Sequence, residues 1–284
     1  MSKELITQID EILSILEAKL PASPTNPDNL KFEAALKNSL SQYFQGLEKA
    51  FPYYLLTKFY DLHVQKESIV REVAPPKIPI PLPDDPDGWD WLDNTLKAFS
   101  TDLAYRLNTY LVQLYLQGSM QVMTYGINKM GIPIQFEGPP MRAAVEWADK
   151  YCAQLVTNLD DESKSQIAKI ISDGIDNKSG IDGISRDIRA QFEDMSKYRA
   201  DMIARTETSH ALRTATVDRI KTFGSQYGKE WILGSGGKEG NCEECIKNAD
   251  AGVIPVDQDF PIPEDEIHPN CTCTISPAVL PEAD

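Results

Sequence analysis

Four cysteines and a histidine fall within 32 positions of this 284-residue chain, between Cys242 and Cys273. Cys242 and Cys245 form a C-x2-C pair, and 22 residues later His268, Cys271 and Cys273 form H-x2-C-x-C. Thiolate and imidazole are the donors Zn²⁺ takes in its structural sites, and Cys₃His and Cys₄ are its usual sets. A C-x2-C turn puts two sulfurs on one side of a tight loop, and His268 and Cys271 have the same spacing. Cys271 and Cys273, two apart, share a face of extended chain. The first set to expect is Cys242, Cys245, His268 and Cys271, with Cys273 able to replace either of the last two. Disulfide pairs, a catalytic thiol and coincidence are the rival readings. Five cysteines is an odd number, which excludes a complete intrachain disulfide framework. A full set of four ligands leaves no open position, so a metal here reads as structural.

Other reactive residue types carry less. Cys152, in "WADKYCAQLV", sits in a helical pattern and reads as a small buried apolar residue. His63 reads as an ordinary helix histidine. Ser209 and His210 are adjacent, so on a helix they diverge by about 100° and do not form a nucleophile–base pair. "GSGGKEG" lacks the G-K-[ST] of a phosphate loop, and no HExxH is present.

The elements that must position the cluster are mainly helical. Apolar residues recur every three or four positions over 3–20, from about 30 to 50, and again after Pro52. "APPKIPIPLPDDPDG", 74–88, reads as an extended linker or arm, because proline fixes φ and removes donors. A long helical stretch follows from about Trp89 to Met130, with breaks expected at Gly118 and Gly126. Residues 140–159 read as one helix and 160–180 as another, capped by Asp160 or Asp161. Two more helices follow, the second ending at Gly224. After it, short β-prone runs ("EWIL", "GVIPV", "CTCTI") make a segment too poor in apolar residues to hold a core alone. Structural zinc supplies an apparent ~10–16 kcal/mol in small modules, which outweighs so small a core. The fold class expected is mainly α, with a small α+β or β-rich metal-stapled module. The expected divisions are a helical region 1–73, the arm 74–88, a helical region 89–149, a domain 150–277 with its Cys/His module at 225–277, and a tail 278–284.

Net charge is −15, and from Glu230 to Asp284 twelve acids face two lysines. Nucleic-acid affinity rests largely on neutralising phosphates, so this segment is a poor direct binder of DNA or RNA. No run approaches the roughly 18 apolar residues of a membrane span. Acids interrupt the apolar positions at the N-terminus, so no signal peptide is read there and a cytoplasmic origin is expected.

"YRADMIARTETSHA" (198–211), Trp231 in "EWIL", "CEEC", Phe260 in "DQDFPIP" and "HPNCTCTISP" stand in an order and at distances that resemble the phage Mu F-like, or phage head morphogenesis, family of minor head proteins. The resemblance covers about residues 150–277. It implies a minor structural protein of a tailed-phage head, assembled in the host cytoplasm and found in the virion. It also implies association with portal, scaffold and capsid proteins, and in some members with packaged DNA and its delivery. Thr272 stands where the family usually has an arginine, and "GSGGKEGN" replaces a stretch that usually carries an acid. Within the motif, Arg205 and Glu207 are two apart and do not pair. Arg205, Thr206, Glu207 and Trp231 read as structural anchors, with Arg205 expected to bond an acid or backbone carbonyls and Glu207 to bond backbone N–H groups or Arg213. The rival function is an enzyme, either an ADP-ribosyltransferase-like protein using Arg205 and Glu207 or a metal-dependent nuclease.

Overall fold

The computed structural model describes residues 20–61, 90–133, 140–177, 179–234, 240–264 and 266–281. The helix expected over 3–20, His63 and the proline arm 74–88 lie outside the described residues. In chain order the described elements are α1 (Pro27–Ala50), α2 (Asp90–Met130), α3 (Met141–Asp176), α4 (Ile181–Asp194), a π-helical turn (Met195–Arg199) and α5 (Ala200–Ile220). They are followed by β1 (Tyr227–Ile232), α6 (Glu243–Asp250), β2 (Val253–Pro255) and β3 (Thr274–Val279). The chain is mainly α with one small sheet, the class expected from the sequence.

Local chemistry explains the boundaries. Asn26 caps α1, its side-chain oxygen accepting from the Asp28 N–H at 2.9 Å, and Pro27 takes the first helical position where its missing donor costs nothing. Asp28 in the first turn and Lys49 in the last complement the helix dipole. Ile184, Ile188 and Phe192, four apart, form the buried stripe of α4. Gly224 ends the α5 region with φ +111°, a conformation open to glycine.

The structure corrects three expectations. First, α2 runs unbroken through Gly118 and Gly126. A Cβ on Gly118 would approach Leu212 and Ala215 to 3.1–3.2 Å, and one on Gly126 would approach Phe223 to 2.9 Å, so these glycines permit close packing rather than mark breaks. Second, residues 141–176 form one helix, and Asp160 caps nothing. Its carboxylate instead accepts from the Tyr43 hydroxyl at 2.6 Å and from the Ser100 hydroxyl. Third, "CEEC" opens a helix, α6, inside a segment read from sequence as turns and short strands.

The chain divides into two compact units, each drawn from separated segments. One comprises Ser39–Arg106 and Tyr151–Ala200. Its interior holds Leu40, Phe44, Leu47, Leu56, Leu92, Leu103 and Ile167, and Phe51 meets Trp91 and Phe192 edge-on at 5.6 and 5.7 Å. Buried Arg199, on the π-helical turn, donates to Glu162 at 2.6 Å and to the Ser163 hydroxyl at 3.0 Å. Its guanidinium also lies 5.5 Å from the Phe44 ring centre.

The other unit comprises Met1–Asn38, Leu107–Lys150 and Asp201–Asp284. Tyr115, Ala144 and Ala215 pack together with Val112, Leu116 and Trp147, and the Tyr115 hydroxyl donates to Asp218 at 2.8 Å. Its sheet has the order β2-β1-β3, antiparallel throughout, with Trp231 opposite Ile275 and Lys229 opposite Ile254. β1 can lie between its neighbours because Gly228 has no side chain. A Cβ there would fall 2.2 Å from the Ile254 carbonyl oxygen. A turn preceding α1 is fixed to this unit: Ala22, fully buried with φ +54°, donates its N–H to Gln121 and accepts from the Thr274 hydroxyl through its carbonyl.

Candidate metal centre

All five donors singled out in the sequence meet in this second unit, beside the sheet. Cys242 is the N-cap of α6, and its sulfur accepts from the Cys245 N–H at 3.3 Å. This is the C-x2-C turn in physical terms: the helix start directs both sulfurs outward from its first turn. Cys271 and Cys273 lie just ahead of β3 and are buried. Asn270, before them, has φ +67°, a left-handed conformation that asparagine tolerates better than most residues.

The donors form two overlapping groups. Cys242, Cys245 and His268 lie within 4.8 Å of one another, as do Cys245, Cys271 and Cys273. Cys245 belongs to both. Its sulfur is 3.5 Å from that of Cys271 and 3.9 Å from Nε2 of His268. Two tetrahedral ligands at zinc–sulfur distances of ~2.3 Å stand roughly 3.8 Å apart, so these separations suit a shared ion.

The surroundings present the sulfurs as acceptors. Gly234 donates its N–H to Cys273 Sγ at 3.3 Å, and Cys273 donates its own to Cys271 Sγ at 3.4 Å. With the Cys245-to-Cys242 bond, three of the four sulfurs receive a backbone N–H, which favours the charged form. Hydrogen bonding from the Cys245 and Cys271 thiols pushes Cys273 down to about 3 against the cost of burial, helped by the Gly234 N–H. The shared hydrogen bonds push Cys245 up, chiefly through Cys271. The trio therefore holds one thiolate readily and resists a second unless a cation joins it. Nδ1 of His268 lies 2.8 Å from the Pro269 carbonyl oxygen, which can only accept. Nδ1 therefore donates to that carbonyl, which leaves Nε2 as the ring atom that faces the sulfurs, as in metal-ligating histidines held by a carbonyl.

The structural anchors explain why the helix motif and the H-P-N-C turn travel together. Arg205 Nη1 donates to Asn270 Oδ1 at 2.9 Å, the Asn270 N–H donates to the Thr206 hydroxyl at 3.0 Å, and the Ser209 hydroxyl donates to the Cys271 carbonyl at 3.0 Å. One face of α5 thus grips two successive residues of the turn. Arg205 also reaches Glu33 on α1 at 3.4 Å and Asp201 at 3.8 Å, which meets the expectation of an acid partner. Glu207 is buried, and Trp231 is buried edge-on against Phe260 at 5.3 Å. Cys152 belongs to the other unit, where its thiol donates to the Ala104 carbonyl at 3.2 Å.

Two contributors escaped the sequence reading. Asn248, fully buried on α6, holds Ile262 by both backbone groups at 2.8 and 2.9 Å and so ties the long loop ahead of His268 to the helix that carries Cys245. Asn270 is the other, although its place between proline and cysteine in a turn is a visible signal. The two departures from the family pattern also meet in space, since a Cβ on Gly234 would fall 2.4 Å from the Thr272 hydroxyl oxygen.

Residues 165–276 match the family model described as Phage Mu protein F like protein, which supports the resemblance read from the sequence. No curated protein and no solved structure matches the chain. Among the described residues no helix is long and apolar enough to cross a membrane.

Proposed function

We propose that this chain is a minor structural protein of a tailed-phage head, acting at the portal vertex in head assembly, DNA packaging or DNA delivery. We further propose that its Cys/His module, 225–277, is closed by a structural Zn²⁺. The match of residues 165–276 to the Mu F-like family carries the first reading. Its partners are the portal protein with capsid and scaffold subunits, met through residues 1–140. Contact with packaged DNA is indirect, because the acidic C-terminal segment repels phosphate. The Zn²⁺ is held by Cys242, Cys245, His268 and Cys271, with Cys273 able to replace either of the last two. Once bound it crosslinks α6 to the H-P-N-C turn, the role a core-poor module needs.

A structural rather than enzymatic role accords with the motif's bonds. Arg205, the cation a transferase reading would use, is engaged with Glu33, Asn270 and Asp201. Fractionation of phage particles tests the reading. The protein is expected in purified heads at a few copies, co-purifying with the portal. Its absence from heads, or NAD-dependent labelling of a target by the pure protein, overturns it.

A further inference from the structure

Asn248 stands on α6 one turn after Cys245, and these two are the buried residues of that eight-residue helix. Its large apolar side chain, Ile246, is 40% exposed. A helix this short does not stand without tertiary support. Apolar packing supplies little of that support here, and an amide takes its part. Nδ2 of Asn248 donates to the Ile262 carbonyl at 2.9 Å, and Oδ1 accepts the Ile262 N–H at 2.8 Å.

That pair bears on the choice of donors. His268 and Cys273 compete for one place beside Cys245 and Cys271, and they hang from different supports. Cys273 stands one residue before β3, where the Gly234 N–H reaches its sulfur at 3.3 Å. His268 stands six residues after Ile262, and its Nε2 lies 3.9 Å from Cys245 Sγ. The α5 clamp on Asn270 does not separate the rivals, because Asn270 lies between them in the chain and serves both. Buried Lys229 bonds Glu264 at 2.6 Å and steadies the approach to His268 against β1. Asn248 sets that same approach against α6, the helix that carries Cys245, and leaves Cys273 to the sheet.

We infer that Asn248 is the residue that seats His268, rather than Cys273, as the fourth ligand of the metal. The inference rests on the reading of the cluster as a structural metal site. Asn248 touches no metal. It is a positioning residue that acts through the backbone of Ile262, and Cys273 is the reserve donor that enters when this hold is lost.

The test uses the full chain, loaded with Co²⁺ to distinguish three sulfurs and one nitrogen from four sulfurs, and loaded with Zn²⁺ against a chromophoric chelator. Unaltered protein is expected to give the three-sulfur spectrum and His268→Ala the four-sulfur one. Asn248→Ala should move toward the spectrum of His268→Ala and weaken Zn²⁺ binding about tenfold, the usual scale for an outer-shell residue. A purely structural role would lower affinity alike in every background. A positioning role costs nothing further once His268→Ala is present, and costs most in Cys273→Ser, where no reserve donor is left. Should Asn248→Ala fail to fold, Asn248→Asp, which keeps the acceptor for the Ile262 N–H and loses the donor, carries the same comparison. An Asn248 variant with the unaltered Co²⁺ spectrum, equal losses in all backgrounds, or a four-sulfur spectrum in the unaltered protein overturns the inference and leaves the metal site standing. Unaltered protein that binds neither ion overturns both.

Discussion

Nη1 of Arg205 donates to Oδ1 of Asn270 at 2.9 Å, across 65 residues of sequence. Thr206, the next residue of α5, accepts from the Asn270 N–H. The side chain and backbone of one left-handed residue are thus held by consecutive residues of one helix, fixing the turn that delivers Cys271.

Arg205→Ala should loosen that turn. The guanidinium is a third exposed, so the loss is about 1 kcal/mol rather than the larger figure for a buried charged bond. Amide exchange over residues 270–276 should quicken, and Arg205→Lys should not restore protection, because a single ammonium cannot reach Asn270, Glu33 and Asp201 together. Unchanged exchange in Arg205→Ala would show the clamp to be passive.

Cys245 belongs to both donor groups, so its loss should hurt most. Cys245→Ser is expected to abolish stoichiometric zinc, whereas Cys242→Ser and Cys273→Ser should each retain part of it with faster release to a chelator. Metal analysis of protein purified without chelator reads this directly. Zinc content equal in Cys245→Ser and the unaltered chain would remove the site.

Gly228→Ala should dismantle the sheet edge. Its new methyl would meet the Ile254 carbonyl at 2.2 Å, a backbone atom with no rotamer to yield. β2 must then leave β1, and protection of the Ile254 and Lys229 amides should be lost. Retained protection at both would mean that the backbone accommodates the methyl with β2 still paired to β1, against the prediction.

Glu33 gives a pH signature. Burial raises its pKa, and the Arg205 charge only partly opposes this. Ionised Glu33 therefore costs stability; the cost is full above its folded pKa and fades as pH falls toward the unfolded value. Glu33→Gln should raise the thermal midpoint at about pH 8 and lose that advantage at about pH 4, on either side of the carboxylate range. A gain larger at the acid end would reverse the sign and defeat the argument.

Much of the architecture was legible because periodicity reports burial locally. The stripe Ile184, Ile188, Phe192 and the capped start at Asn26 are visible in a window of a dozen residues. The five donors were legible as a group because rare residue types recur at ligand spacing. Three things were not. Asp160 looks like a cap, but its partners Tyr43 and Ser100 lie 117 and 60 residues away. Gly118 looks like a break until Leu212 is placed against it. Arg213 looks like a partner for Glu207 on one helix, and only the tertiary fold reveals its guanidinium 5.8 Å from the Trp231 ring centre.

The bond from Thr274 to the Ala22 carbonyl spans 252 residues. Contacts of such separation must await synthesis of the later partner, and loop closure makes them late even then. A nascent chain carries Ala22 without its final setting until β3 has been made. The unit that holds the sulfur centre is thus assembled by a returning chain rather than grown in order. Ribosome-released fragments that stop short of residue 274 should present an unfinished surface there, which makes chain completion itself a checkpoint on which copies reach the final fold.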